Sequence, residues 1–257
     1  SNTVSVRVKK NDYPTPSGLE ASSRQSNVGL SWQAPDLNSL GLKRTTETID
    51  DYKAFAISDF GDWTTYDCDL QNTIQITLNE SFGPLQYENS GEPMAFQVFN
   101  SLQAGIPFTT WEAHSGEQML VSFSCASPDG GFTKKQNDDW LVSPELCGEV
   151  QTVRFFAKAG IASAVPEQME VLYSVSDKTI GSFKKIGETI DVSNVKGWDE
   201  YKVELPQGAK YFAIRCVSNN KFALLIDDIS YIAKGAENEN LTFVGYNVYR
   251  DRQKLNA

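Results

Sequence analysis

Histidine is nearly absent from this chain of 257 residues: there is one, His114. A single histidine excludes HExxH zinc chemistry, which needs two on one helix face. His114 stands beside Ser115 in the polar, loop-like segment Glu112–Glu117. A Ser–His–Asp triad is defined by geometry, so this adjacency says little, and a loop histidine without a catalytic role is the simpler reading. Cysteine is scarce as well. Cys68, Cys125, Cys147 and Cys216 show no CxxC spacing, which removes zinc-ribbon and thioredoxin-type sites. Cys125 shares a strand parity with Met119, Val121 and Phe123, and Cys216 shares one with Phe212 and Ile214, so both read as small buried hydrophobes. Basic residues are outnumbered 23 to 33, for a net charge of −10. That balance argues against nucleic acid and suits a cation binder or a solubilised extracellular module. No apolar run approaches the ~20 residues of a membrane helix, so no membrane insertion is expected. The glycines of Asp129–Gly131 lack the spacing of a nucleotide-binding loop.

Helical periodicity is also missing, and short alternating strands take its place. Clear cases are Met94–Phe99, Met119–Cys125, Thr152–Lys158, Met169–Val175, Tyr201–Leu205, Tyr211–Val217 and Phe222–Ile226. Aromatics are plentiful (5 Trp, 10 Tyr and 14 Phe) and the hydrophobic fraction is 40%, enough for a sizeable packed core. The expected fold class is all-β, a two-sheet sandwich or jelly roll. One strand, Phe222–Ile232, carries Asp227 and Asp228 in its apolar middle. Side chains alternate along a strand, so the two aspartates cannot both face water, and a buried carboxylate needs a cation, a metal or several donors. Against a metal stands the reading that the core ends at Ile226 and both aspartates lie solvated at a sheet edge. Taken alone, the strand leaves both readings open.

The ends differ from the middle. Val4–Val8, Gly18–Ala21 and Val28–Trp32 read as strands, residues 37–47 and 235–240 as polar linkers, and Thr242–Arg250 as a further strand. Pro16–Ala21 and Val28–Pro35 resemble the first two strands of a fibronectin type III module, and Gly245–Asp251 resembles its third. The expected organisation is therefore partial fibronectin-like strands at 1–36 and 240–257, with a domain at 46–235 either inserted between them, as the short polar linkers favour, or flanked by them as parts of separate modules. The remaining strands of such a module are not in the sequence, which leads us to expect a fragment of a longer multidomain protein.

The middle of the chain resembles the cleaved-adhesin domains of gingipain-type bacterial surface proteins and the related choice-of-anchor domains. The matching residues are Phe55, Gly61–Asp69, Ala95–Asn100, Ser115–Gly116, Asn137–Pro144, Val153–Lys158, Leu205–Arg215 and Ile226–Ile229. The resemblance implies a jelly-roll sandwich, calcium bound at loops, and adhesion rather than catalysis. Calcium takes six to eight oxygens and accepts loop geometry. Asp67 and Asp69, at i and i+2, are the first candidate ligands, in a stretch that is not an EF-hand because Asn72 and Leu78 stand where glycine and glutamate belong. An acidic turn held by its own Asx hydrogen bonds explains the same residues without a metal. The resemblance makes Asp227 and Asp228 the second candidate, beside a first strand that supplies an acid after a phenylalanine. Here Ala56 follows Phe55, so that acid is missing, with Asp59 or Asp62 as substitutes. Asp139, in Asn137–Asp139 ahead of Trp140, is the third.

Trp111, Trp198 and Tyr87 lie in polar, loop-like contexts and are the candidates for stacking on a ligand such as a sugar, although tryptophans that plug the ends of a sandwich look the same in sequence. The expectation is a non-enzymatic, calcium-stabilised adhesin-type module. It would be secreted or displayed on a bacterial surface, bind host protein or glycan, and neighbour other domains of the same longer chain. The alternative is a carbohydrate-binding accessory module of a larger secreted hydrolase.

Overall fold

The computed structural model describes residues 16–24, 27–33, 41–78, 81, 83–106, 109–127, 133, 135–161, 166–193, 196–238, 245, 247–250 and 253–254. The chain divides into two compact units, Ser1–Lys43 with Glu237–Ala257, and Arg44–Ala236. In the smaller unit, β1 (Ser17–Arg24) and β2 (Asn27–Gln33) form an antiparallel pair with Ala21 opposite Leu30 and Ser23 opposite Val28. Tyr249–Arg250 pairs with Gln253–Lys254. Leu42 bridges to Asn238, and the Lys43 N–H donates to the Glu237 carbonyl, so the two segments of the smaller unit meet there. The strand expected at Val4–Val8 lies outside the described residues, as do positions 242–244 and 246 of that expected at Thr242–Arg250.

Among the described residues the larger unit contributes eleven strands and no α-helix. They are β3 (Thr45–Glu47), β4 (Thr64–Asp67), β5 (Gln97–Phe99), β6 (Met119–Phe123), β7 (Asp139–Val142), β8 (Gln151–Ala159), β9 (Glu167–Ser174), β10 (Lys184–Val192), β11 (Asp199–Leu205), β12 (Tyr211–Cys216) and β13 (Ala223–Tyr231). One sheet runs β10–β9–β12–β7–β4, and the other runs β11–β8–β13–β6–β5 with β3 also paired to β13. The pairings within both sheets are antiparallel. The chain repeatedly crosses from one sheet to the other, which is the connectivity of a jelly roll. No helix of the described residues is long and apolar enough to cross a membrane.

Alternation builds the space between the sheets. On β8, Val153, Phe155 and Ala157 are fully buried, while Thr152, Arg154 and Phe156 are half-buried on the other face. Phe155 and its neighbours join Met169 and Val171 of β9, Phe212, Ile214 and Cys216 of β12, and Leu224 and Ile226 of β13 in one core. The two cysteines read as small hydrophobes, Cys125 and Cys216, are both buried. Strands β6 and β13 are buried on both faces, because a second apolar layer lies outside them. Phe55, Ile74, Ile76, Ala104, Ile106 and Trp111 pack there against Val121, Phe123 and Leu225.

Strict alternation fails within β13. The pairing of β13 with β8 shifts register between Asp227 and Ser230, and Asp228 has φ 47°, a left-handed conformation that aspartate tolerates better than most residues. The core face accordingly reads Leu224, Ile226, then Ile229 and Tyr231. The bulge sends both aspartates to the same side, away from the sandwich core. The strand beside them also differs from expectation. It is β3, whose Glu47 lies opposite Ile229, whereas Phe55 bonds to Val98 of β5. The acid that follows this strand is Asp50, after the buried Ile49, and its carboxylate accepts the Glu117 and Gln118 N–H groups rather than joining the aspartate pair.

Phe212 sits at the centre, fully buried, with Trp63 edge-on at 5.9 Å and Tyr231 tilted against it at 6.0 Å. Replacing it with alanine should cost about 3–5 kcal/mol of unfolding free energy, read from the midpoint of a urea transition. A loss below about 1 kcal/mol would contradict this placement of the core.

Candidate functional site

The first acidic centre forms where β4 ends and β7 begins. Asp67 lies opposite Asp139 in the ladder, and Cys216 of β12 faces Asp139 from the other side. The turn after β4 closes on itself: Asp67 accepts the Leu70 N–H at 2.7 Å, and Asp69 accepts that of Gln71 at 2.9 Å. The second oxygen of Asp69 accepts the Asp138 N–H at 2.8 Å, fixing the turn to β7. These bonds are those of an Asx-held turn and need no metal.

Asp139 is different. It is 2% exposed, its side chain lies between the two sheets, and its Oδ2 accepts the Ser122 hydroxyl and the Asn137 amide, both at 2.8 Å. Its Oδ1 is buried and has no hydrogen-bond partner among the described residues. Asp67, Asp69 and Asp139 each place a carboxylate oxygen within 4.8 Å of the others'. Burial, and then the Asp69 charge, hold the Asp139 carboxyl well above the usual carboxylate range, and burial raises Asp67 as well. Three acids converging with one buried lone pair left over form a set of hard oxygen donors, which is what calcium requires. The residues present therefore fit a calcium ion. Asp138 turns the other way: its Oδ1 accepts the Trp140 indole N–H at 2.6 Å and the Arg215 Nε–H at 2.7 Å. Trp140 is buried on the outer face of its sheet, under Arg215 and against Phe183.

The second centre, Asp227 and Asp228, does not fit a metal. Asp227 is fully buried, and its Oδ2 accepts the N–H groups of His114 at 2.8 Å and Ser115 at 3.2 Å. Its Oδ1 accepts the Asp228 N–H at 2.7 Å. Asp228 accepts the Ser115 hydroxyl at 2.7 Å through Oδ1 and contacts His114 Nδ1 through Oδ2. Every carboxylate oxygen of the pair thus faces a donor, and among the described residues no third acid joins them. Burial, the largest influence on Asp227, pushes its carboxyl up to about 7. Lys158, on the outer parity of β8, is 3% exposed and donates to the Glu112 carbonyl at 2.8 Å. Burial lowers its ammonium to about 8.

Of the aromatic candidates, Trp111 is 4% exposed, stacked on Phe123 and edge-on to Phe222, so it plugs the outer layer and cannot stack on a ligand. Tyr87 is half-buried, stacked on Phe55 at 5.1 Å and edge-on to Phe99, and it serves the same layer. Trp198 is half-buried. The Lys158 ammonium lies 4.4 Å from its ring centroid, and its N–H donates to the Glu112 carbonyl at 3.2 Å. His114 stands edge-on to it and stacks on Phe156 at 3.5 Å. Sequence reasoning passed over Lys158, Phe156, Ser122 and Asp50. The outward parity of Phe156 and Lys158 on β8 was the one signal available for any of them.

A family model described as Cleaved Adhesin Domain matches residues 97–231, more than half of the chain. The chain belongs to the cleaved adhesin domain family. Among solved structures this cleaved adhesin domain is similar to the K2 cleaved adhesin domain of Lys-gingipain, with TM-score 0.53 and 20% identity over 74% of this chain and 99% of that one. The K1 domain of Lys-gingipain from Porphyromonas gingivalis W83 follows at TM-score 0.49 and 16% identity, over 75% and 99%. TmCBM61, solved in complex with beta-1,4-galactotriose, gives TM-score 0.40 and 12% identity over 72% and 97%. At these identities the likeness is one of fold, the all-β sandwich expected from the strand pattern. No curated protein matches the sequence.

Asp139 and Asp227 both hold protons more tightly folded than unfolded, the first well above the usual range and the second at about 7. Their protonated forms support the fold fully below the ordinary carboxylate range, and that support is lost as pH rises through the folded values. In chelator, the melting temperature of this cleaved adhesin domain should fall between about pH 5 and about pH 8, and Asp139→Asn should flatten part of that fall. A melting temperature that rises across this window, or a slope untouched by the substitution, would contradict the assignment.

Proposed function

We propose that this domain is a non-catalytic adhesin-type module, stabilised by calcium, that acts on a bacterial surface or after secretion by binding host protein or glycan. The observation that carries the calcium reading is the buried, unpartnered Oδ1 of Asp139 beside Asp67 and Asp69. Calcium would supply the positive charge that three converging carboxylates lack. Asp67, Asp69 and Asp139 would hold it. Asp69 already fixes the turn to β7 through the Asp138 N–H, and Asp139 reaches across to β6 through Ser122, so an ion here would tie one end of the sandwich together. The acidic net charge of −10 agrees with a domain that takes up cations. A nucleophile–base pair has little support, because the Ser115 hydroxyl donates to Asp228 rather than to His114. The smaller unit, with its fibronectin-like strands, would link the module to neighbouring domains.

The test is a thermal melt with and without calcium. Calcium that binds only the folded chain adds about 2.7 kcal/mol at a free concentration 100-fold above its dissociation constant. The gain should vanish in Asp139→Asn and in Asp67→Asn. Because Asp139 must lose its proton to bind, affinity should also fall as pH is lowered. A calcium response that survives both substitutions places the ion elsewhere, and no response at all removes the calcium claim.

The second reading, a carbohydrate-binding accessory module, is favoured by one observation. Trp198, half-buried like Tyr87 and like it packed against the outer layer, stands beside the exposed His114 and under the Lys158 ammonium, a mixed aromatic and polar surface. Stacking of a nucleic-acid base on such a ring is worth ~1–3 kcal/mol by alanine substitution, and the same scale serves for a sugar face. On this reading Trp198→Ala lowers glycan-array binding about tenfold or more with little change in melting temperature, whereas Trp111→Ala lowers stability by about 3–5 kcal/mol. Glycan binding untouched by Trp198→Ala leaves host protein as the ligand.

A further inference from the structure

The resemblance implies a cation at the twin aspartates as well, and the atoms around them argue for a different device. A calcium site must present oxygen lone pairs that are free to bind an ion. Around Asp227 and Asp228 the lone pairs face hydrogen-bond donors instead: the N–H groups of His114, Ser115 and Asp228, the Ser115 hydroxyl, and His114 Nδ1. A carboxylate offers only acceptors, so the ring nitrogen in contact with Asp228 carries the hydrogen. The bulge at Asp228 is what makes this possible, since it brings both side chains to one side of the strand, against one short loop.

The loop is fastened along its whole length. At its start, the Glu112 carbonyl accepts both the Lys158 ammonium and the Trp198 indole N–H. In the middle, His114 and Ser115 bind the paired aspartates, with the His114 ring stacked on Phe156. At its end, Asp50 Oδ1 accepts the N–H groups of Glu117 at 2.7 Å and Gln118 at 3.0 Å. Gly116, between these anchors, has φ +62° and lies against the Asp50 carboxylate, where a Cβ would collide.

We propose that Asp227 and Asp228 form a metal-independent clasp, in which His114 and Ser115 take the place on the paired carboxylates that a cation would otherwise hold. The chain's own donors lock residues 112–118, and with them the Trp198 surface, whether or not calcium is present. This holds independently of the ion proposed at Asp67, Asp69 and Asp139, so the two claims stand or fall on different signals.

The experiment is a calcium titration of the whole chain, stripped with chelator and followed by amide NMR spectra and hydrogen exchange. The amides of His114, Ser115 and Asp228 should keep their shifts and their protection up to millimolar calcium. Saturable shifts at these three residues would overturn the clasp. His114→Ala, a change at an exposed residue, should raise exchange at the Ser115 and Glu117 amides by about tenfold through easier local opening. Calcium should not restore the lost protection. Restoration by calcium would show that the carboxylates take an ion, and unchanged protection in the variant would show that His114 holds nothing; either result overturns the proposal.

Discussion

A carboxylate buried between two sheets with one oxygen unpaired is costly, and one end of this sandwich is arranged around that cost. Asp139 occupies the first position of β7, where an apolar residue would close the core, and Ser122 on the opposite sheet and Asn137 on the approach to β7 satisfy one of its oxygens. The other oxygen points toward two more carboxylates. Without a counter-charge this cluster stays together only by keeping a proton. With a divalent ion it becomes a cross-link between β4 and β7 that reaches β6 through Ser122.

The two acidic centres answer the same electrostatic problem in different ways. Near Asp139 the acids face one another and a lone pair is left open. Near Asp227 the chain supplies donors of its own, from a loop whose backbone N–H groups, hydroxyl and imidazole converge on two carboxylates. A carboxylate that accepts several hydrogen bonds has no need of a metal. Composition does not separate the two cases, since both are clusters of aspartate. What separates them is that one buried oxygen, Asp139 Oδ1, is left without a donor at the first centre, while each carboxylate oxygen at the second faces one.

The same distinction marks how far the sequence could be read. The sandwich was legible because alternation on β8, β9 and β12 is nearly unbroken and depends on local order alone. Asp67 and Asp69 were legible because their i, i+2 spacing is local too. The direction of Asp228 was not, because a one-residue bulge reverses the parity of everything after it, and nothing in Ile226–Tyr231 announces a bulge. Trp111 and Tyr87 looked exposed because their neighbours in sequence are polar, yet the loops carrying them fold back as an outer apolar layer over β6 and β13. Phe55 was taken for part of the first strand because it has the right chemistry, while β3, with Ile49 and Asp50 behind it, is short and polar. The partners that decide the fate of each carboxylate, Ser122 and His114, come from distant parts of the chain and emerge only with the tertiary fold.

The central claim is that Asp67, Asp69 and Asp139 hold calcium and that Asp227 and Asp228 do not. Crystals grown with calcium, measured for anomalous scattering, test it most directly. The account predicts one peak at about 2.3–2.6 Å from oxygens of Asp67, Asp69 and Asp139, and none between Asp227 and Asp228. No peak at the first centre, or a peak at the second, would contradict it.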